Sequence, residues 1–163
     1  MQGNDSYSAI FYESVPLIRS LTVDDAADCL DLWRLSRDPS DDRISFLENH
    51  LKQQVNCLHF GSFVDSRTQA IGWVTLGWIG DYGKLVGLLV RPEFRFRGIG
   101  RLLVRHIIEA AIDKRLVHVD LEVVSGNTNA RKLYEKTGFK QIASGQHSAL
   151  YQHYQQYRCF LPK

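Results

Sequence analysis

Residues 85–103 constrain the fold of this chain more than any other stretch. Leu85-Val-Gly-Leu-Leu-Val90 is a short apolar run, the pattern of a buried strand. Pro92, Gly98 and Gly100 punctuate the turn that follows. A long helical pattern then starts near Gly98 and runs to about Arg115, with Ile99, Leu103, Ile107 and Ala111 along one side. Further on, Val117, Val119, Leu121 and Val123 alternate with His118, Asp120 and Glu122. That alternation predicts a strand with one apolar and one polar face. Two strands joined by such a helix lie parallel, through a right-handed crossover.

The turn has a chemistry of its own. The first turn of a helix carries unpaired N–H groups and partial positive charge. Glycine has no Cβ, so a ligand can come close to the backbone there. With Arg95, Arg97 and Arg101 around it, the stretch makes a cradle for phosphate. The plainer alternative is a glycine turn that only joins strand to helix. A dinucleotide site does not fit, because the G-x-G-x-x-G spacing is missing. A P-loop does not fit either, because no Gly-Lys-Ser/Thr follows.

Arg95-x-x-Gly98-x-Gly100 resembles the acyl-CoA pyrophosphate loop of the GNAT superfamily of N-acetyltransferases, R/Q-x-x-G-x-G/A. Asn127-x-x-Ala130-x-x-Leu133-Tyr134-Glu-Lys-Thr-Gly138-Phe139 resembles the helix motif of the same superfamily. The two motifs stand in the family's order, and the resemblance extends from about Pro16 to the C-terminus. It implies a mixed α/β fold with a mostly antiparallel sheet, one parallel strand pair and flanking helices. It also implies an enzyme that moves the acetyl group of acetyl-CoA, as co-substrate, to a primary amine by direct attack in a ternary complex.

The resemblance assigns roles residue by residue. Arg95, Phe96, Arg97, Gly98, Ile99, Gly100 and Arg101 would hold the pyrophosphate. The backbone of Leu88, Leu89 and Val90 would pair with pantetheine, and Asn127 would touch that arm. Tyr134 would give a proton to the departing sulfur, as a phenol can. Asn127 has a plainer reading as a helix cap, and Tyr134 as a core aromatic beside Ala130 and Leu133.

The base is a departure. Many members carry a glutamate on the strand before the loop, and here Lys84 stands there. A charged lysine cannot accept a proton. Glu122, in Leu121-Glu122-Val123, matches the glutamate of the ribosomal-protein N-terminal acetyltransferase branch, the nearest in motif. It reads equally as a solvated strand-face charge, and a water chain with no dedicated base stays open. A second hypothesis is a non-catalytic acyl-CoA sensor or interaction domain, to which Lys84 gives weight. A nucleic-acid binder built on Arg91, Arg95, Arg97, Arg101 and Arg105 lacks interleaved stacking aromatics beyond Phe94 and Phe96.

The rest of the chain is read in order. Residues 1–15 form a polar lead-in. Leu17–Leu21 is a first strand, and Thr22 caps a helix from Val23 to about Ser36 that buries Ala26, Leu30 and Trp33. A second helix spans about Asp41 to Gln54. Leu58–Val64 and Ala70–Trp78 form a hairpin, and Gly87 marks a bulge or close backbone approach. A helix from Asn129 to Thr137 precedes a short strand, Phe139 to Ala143, and a turn at Ser144–Ser148. Leu150 to Leu161 closes the sheet.

The 163 residues suit one domain over 1–163. A net charge of +2 is too small to argue for nucleic acid. Three cysteines without C-x-x-C spacing read as small buried hydrophobes, not as a disulfide framework or a zinc site. Six scattered histidines form no metal motif, and on an unbroken strand His147 and His153 would share a face. No run reaches membrane-helix length and no signal peptide opens the chain, so a cytoplasmic protein is expected. The acceptor, a small amine or a peptide amine, is not readable, although Asp38, Asp41, Asp42, Glu48 and Asp81 would favour a cation. A homodimer is left open.

Overall fold

The computed structural model describes residues 16–35, 44–52, 55–64, 69–147 and 152–162. Its elements are β1 (Leu17–Ser20), α1 (Ala26–Leu35), α2 (Ile44–Lys52), β2 (Cys57–Phe63), β3 (Gly72–Ile79), β4 (Tyr82–Val90), α3 (Ile99–Asp113), β5 (His118–Val124), α4 (Thr128–Lys136), β6 (Lys140–His147) and β7 (Gln152–Phe160). Their order is the expected one. The lead-in at 1–15 and the acids Asp38, Asp41 and Asp42 lie outside the described residues.

The seven strands form one sheet in the order β1-β2-β3-β4-β5-β7-β6. Every neighbouring pair is antiparallel except β4 and β5, which are parallel and joined through α3. The last strand does not lie at the edge, as its closing role suggested. β7 sits between β5 and β6, bonded to both. β6 is also longer than expected, because Ser144, Gly145 and Gln146 pair with Gln155, Tyr154 and His153. Cross-strand pairing overrides the weak strand preference of such residues. His147 and His153 therefore sit on neighbouring strands and not on one.

Successive strand residues feed two separate cores, as alternation requires. Val74 and Leu76 of β3 join Leu85, Leu103, Ile107, Val119, Leu121 and Tyr157 on the face covered by α3 and α4. Trp73 joins Leu32, Trp33, Leu47 and Phe63 on the face covered by α1 and α2. Each fully buried leucine contributes about 1.5–3 kcal/mol by leaving water. On α1 the buried stripe is Ala26, Cys29, Leu32 and Trp33. Leu30, expected there, lies at the rim.

Thr22 precedes a single 3-10 turn, Val23–Asp25, rather than the first turn of α1. Thr22 and Asp25 cap each other in a capping box. Asp25 Oδ2 accepts from the Thr22 N–H at 2.8 Å and from its hydroxyl at 3.2 Å. Arg19 closes the arrangement with bonds of 2.6 and 3.0 Å to the same carboxylate. Burial pushes the Asp25 carboxyl up, but these donors outweigh it and leave it below the usual range.

Two irregularities shape what lies between β4 and β5. Gly87 has φ +66, and the β3–β4 register slips by one residue between Trp73↔Leu89 and Thr75↔Val86. This is a glycine bulge, which bends its strand. On the other side of β4, pairing with β5 covers only Tyr82↔His118, Gly83↔Val119 and Lys84↔Asp120. Beyond Lys84 the two strands part, although β4 runs on to Val90 and β5 to Val124. The result is a fork in the middle of the sheet. Among the described residues, no helix is long and apolar enough to cross a membrane.

Candidate active site

The fork is open on the side of the glycine turn. A cleft of about 450 Å³ is lined by Leu88, Leu89 and Val90 of β4, Phe94 to Phe96 and Gly98 of the turn, Gly100 and Arg101 of α3, and Asn127, Asn129, Ala130 and Leu133 of α4, with Leu35 at its rim. Both sequence motifs therefore meet at one cavity.

The turn is held in shape by its own arginine. Arg95 Nε donates to the Val90 carbonyl at 3.1 Å, which folds the loop back on the strand end. Phe96 takes φ +61 and stands 87% exposed beside the cleft. Gly98 takes φ +84, and a Cβ there would meet no atom within 4 Å. Its open side faces free space, as close approach of a ligand requires. Leu102 is the residue whose N–H bonds back to Gly98, at 3.0 Å. The N–H groups before it belong to the first turn and lie beyond the reach of the intrahelical ladder.

The residues expected at the cofactor are not all on the cleft wall. Ile99 is in the core, with its side chain against Leu103 and its neighbours. The Arg97 guanidinium lies over the Phe94 ring, 5.7 Å from the centroid. Gly100 has a packing reason for lacking a side chain. A Cβ there would come within 3.2 Å of Leu133 Cδ2, so this glycine lets α3 and α4 close together under the cleft. Asn127 does two things: Oδ1 caps α4 by accepting from the Ala130 N–H at 3.1 Å, and the residue lines the cleft.

Tyr134 lies beneath this wall, 6% exposed, with its ring 5.8 Å from that of Phe139 in an edge arrangement. Burial pushes its hydroxyl up to about 12. The phenol therefore keeps its proton across the neutral and mildly alkaline range. A residue that sequence reasoning missed helps to fix it. Tyr157 of β7 is fully buried, and its hydroxyl lies 2.9 Å from Glu135 Oε1 and 3.2 Å from Gln155 Oε1 while accepting from Arg131 Nε at 3.3 Å. Arg131 and Glu135 flank Tyr134 on α4, so this network anchors the helix to the sheet.

Glu122 occupies the other face of the fork. It alternates with Leu121 and Val123, which are in the core with Tyr134, so its side chain leaves the sheet on the opposite side. It is 43% exposed, and Gln156 Nε2 donates to its Oε1 at 3.3 Å. Lys84 Nζ lies 3.6 Å from the same oxygen. Asp120, the register partner of Lys84, is engaged elsewhere: Arg158 binds both its oxygens at 2.7 Å. Neither Tyr134 nor Glu122 lines the cleft itself. Glu122 lies on β5 just past Lys84↔Asp120, where the β4–β5 ladder ends, and Tyr134 lies in the core on the opposite face of the sheet.

None of the three cysteines is in a disulfide. Cys29 is fully buried, and desolvation pushes its thiol up to about 12, as expected of a small core hydrophobe.

A strand pair that forks beside a glycine-turn cleft, with a capped helix at the cleft wall, brings both sequence motifs to one cavity. The model of the acetyltransferase (GNAT) family matches residues 24–139. The chain belongs to that family. Among named relatives, a thialysine N-epsilon-acetyltransferase from Caenorhabditis elegans is 32% identical over 69 residues, 42% of this chain and 43% of the relative. A ribosomal protein bS18-alanine N-acetyltransferase from Salmonella typhimurium is 38% identical over 61 residues, 37% of this chain and 41% of the relative. The chain thus spans less than half the length of these curated relatives. The fold is shared more widely. The crystal structure of the ribosomal-protein-S18-alanine N-acetyltransferase from Escherichia coli superposes with a TM-score of 0.74 at 18% identity, covering 91% of this chain and 96% of that one. A mutant spermidine N-acetyltransferase from Vibrio cholerae superposes at 0.75 and 20% identity, covering 88% and 94%.

Proposed function

We propose that this chain is an acetyl-CoA-dependent N-acetyltransferase, one domain over residues 1–163, acting in the cytoplasm on a small-molecule or peptide amine. The observation that carries the reading is the fork. The cleft beside it brings both motifs together, and a buried phenol and an exposed carboxylate stand on opposite faces of the sheet.

The residues divide the work. The turn from Arg95 to Arg101 holds the pyrophosphate through first-turn N–H groups and cationic side chains. The backbone of Leu88, Leu89 and Val90 pairs with the pantetheine arm as an added strand would, with Asn127 beside it. Acetyl-CoA supplies the acetyl group as a thioester. Glu122, on the open face, takes a proton from the amine as its lone pair attacks the carbonyl carbon. N–H groups of the splayed part of β4 are the donors at hand for the oxyanion. As the C–S bond breaks, Tyr134 gives its proton to the thiolate from the other face. An N-acetylated amine and free CoA leave, and the cycle closes as Glu122 releases its proton to solvent and Tyr134 takes one back.

The test is cofactor binding. Gly98→Val places a β-branched residue at φ +84 and fills the open side of the turn. Calorimetric titration with acetyl-CoA should show affinity at least tenfold weaker than wild type, while the circular dichroism spectrum is kept. Unchanged affinity in a folded variant would remove the turn from the site.

A further inference from the structure

We infer that Lys84 selects acceptors that carry a carboxylate beside the reactive amine, α-amino acids in the simplest case. The inference rests on the reading of Glu122 as base and goes on to name the substrate class of that site.

The observation is the charge arrangement on the open face of the fork. Among the described strand residues there, Lys84, Lys140 and Arg158 face Asp120 and Glu122. Arg158 and Asp120 form a closed bidentate pair, with His118 Nε2 3.6 Å from the same carboxylate. Lys84 is left to Glu122. Their contact is 3.6 Å, longer than a hydrogen bond, with Lys84 54% exposed and Glu122 43%. An ion pair of this kind is weak and can be exchanged for another partner.

Charge bookkeeping then fixes the acceptor. An arriving ammonium pairs with Glu122, and its proton then moves onto that carboxylate. At that moment Lys84 loses the negative charge beside it. A polyamine worsens matters, because it brings a further cation to the same place. An acceptor with an anion next to its amine resolves them, since its carboxylate takes over Lys84 as its amine engages Glu122. Lysine offers three donors on a flexible stem, suited to following that carboxylate. The pair spans a zwitterion, with the anionic site and the cationic site side by side. The lysine that occupies the position of a family carboxylate is, on this reading, a specificity device and not a lost base.

The experiment compares matched amines that differ only in carboxylate against carboxamide, such as alanine and alaninamide, together with a diamine. Turnover (kcat/KM) is measured for wild type, Lys84→Gln and Lys84→Glu with saturating acetyl-CoA. Binding of the same amines to the CoA-loaded proteins is measured by calorimetry. Dividing the carboxylate-to-carboxamide ratio of wild type by that of a variant cancels the difference in amine basicity. We expect that quotient to be about two- to fivefold for Lys84→Gln. Lys84→Glu should prefer the diamine. Equal ratios in all three proteins, or a wild-type preference for the diamine, would overturn the assignment. If wild type acetylates no amine, the enzyme reading falls, and the calorimetric quotient alone then decides for or against Lys84 as the carboxylate site.

Discussion

The two faces of the fork treat their functional groups in opposite ways. On the helix face, Tyr134 is sealed among Leu121, Phe139 and the α3 side chains, and dehydration holds its proton on. On the open face, Glu122 stands in water with a glutamine and a lysine at its Oε1. The difference separates a phenol that keeps its proton, and is the weaker acid toward a thiolate for it, from a carboxylate that a substrate can reach. A group that must give a proton late is kept dry and neutral. A group that must collect a proton from a substrate has to be reachable. The sheet itself is the partition between them, and among the described strands β4 and β5 stop pairing beyond Lys84↔Asp120.

The largest test of this contrast removes the dry hydroxyl. Tyr134→Phe keeps the ring and its edge contact with Phe139. Steady-state turnover should fall by roughly 10²-fold with acetyl-CoA affinity nearly unchanged. Wild-type turnover in that variant would leave Tyr134 a packing residue and the contrast without chemical meaning.

The wet face gives a smaller effect. Glu122→Gln keeps the shape and removes the charge. Turnover at neutral pH should fall by roughly tenfold, less than the usual range for a general base because solvent at an exposed site partly substitutes. The loss should shrink as pH rises, since more of the amine is already neutral. Parallel pH–rate profiles for the two proteins would return Glu122 to a strand-face charge.

The smallest effect reads the dryness without catalysis. The Tyr134 hydroxyl goes from an ordinary value of 10.0 to about 12 in the folded chain. The folded state therefore holds more protons than the unfolded chain above pH 10. The stability tied to this group is fully present below pH 10 and is lost as pH rises toward 12. Denaturant unfolding of wild type should lose about 1 kcal/mol relative to Tyr134→Phe by pH 10.5. A constant difference between the two proteins would mean that water reaches the hydroxyl.

The elements around the fork were legible because their signals are local. The apolar run at Leu85–Val90, the glycine turn, the stripe from Ile99 to Ala111 and the alternation at Val119–Val123 each lie within a few residues. Gly87 reads as a bulge or a close backbone approach, of which the bulge is what forms, and Glu122 falls on the polar face. What was not legible depends on pairing at a distance. No periodicity says that β7 inserts beside β5, or that the hydroxyl of Tyr157 meets Glu135. The meeting of Lys84 with Glu122 depends on the register Lys84↔Asp120 and on Arg158 having claimed Asp120. Gly100 carried a correct motif letter, and its reason appears only when Leu133 is seen against it.

The brevity of the β4–β5 ladder also bears on how the molecule holds together. Three residue pairs are the whole seam between a four-stranded antiparallel half, β1 to β4, and a three-stranded half, β5, β7 and β6. Among the described strands the sheet therefore has four unsealed borders, two at its outer strands and two facing each other inside. Inner borders of this kind would zip together in an ordinary sheet. Here the direct β4–β5 pairing is confined to the start of the two strands, and the apolar side chains of the crossover helix bridge β4 and β5 beneath the part left open.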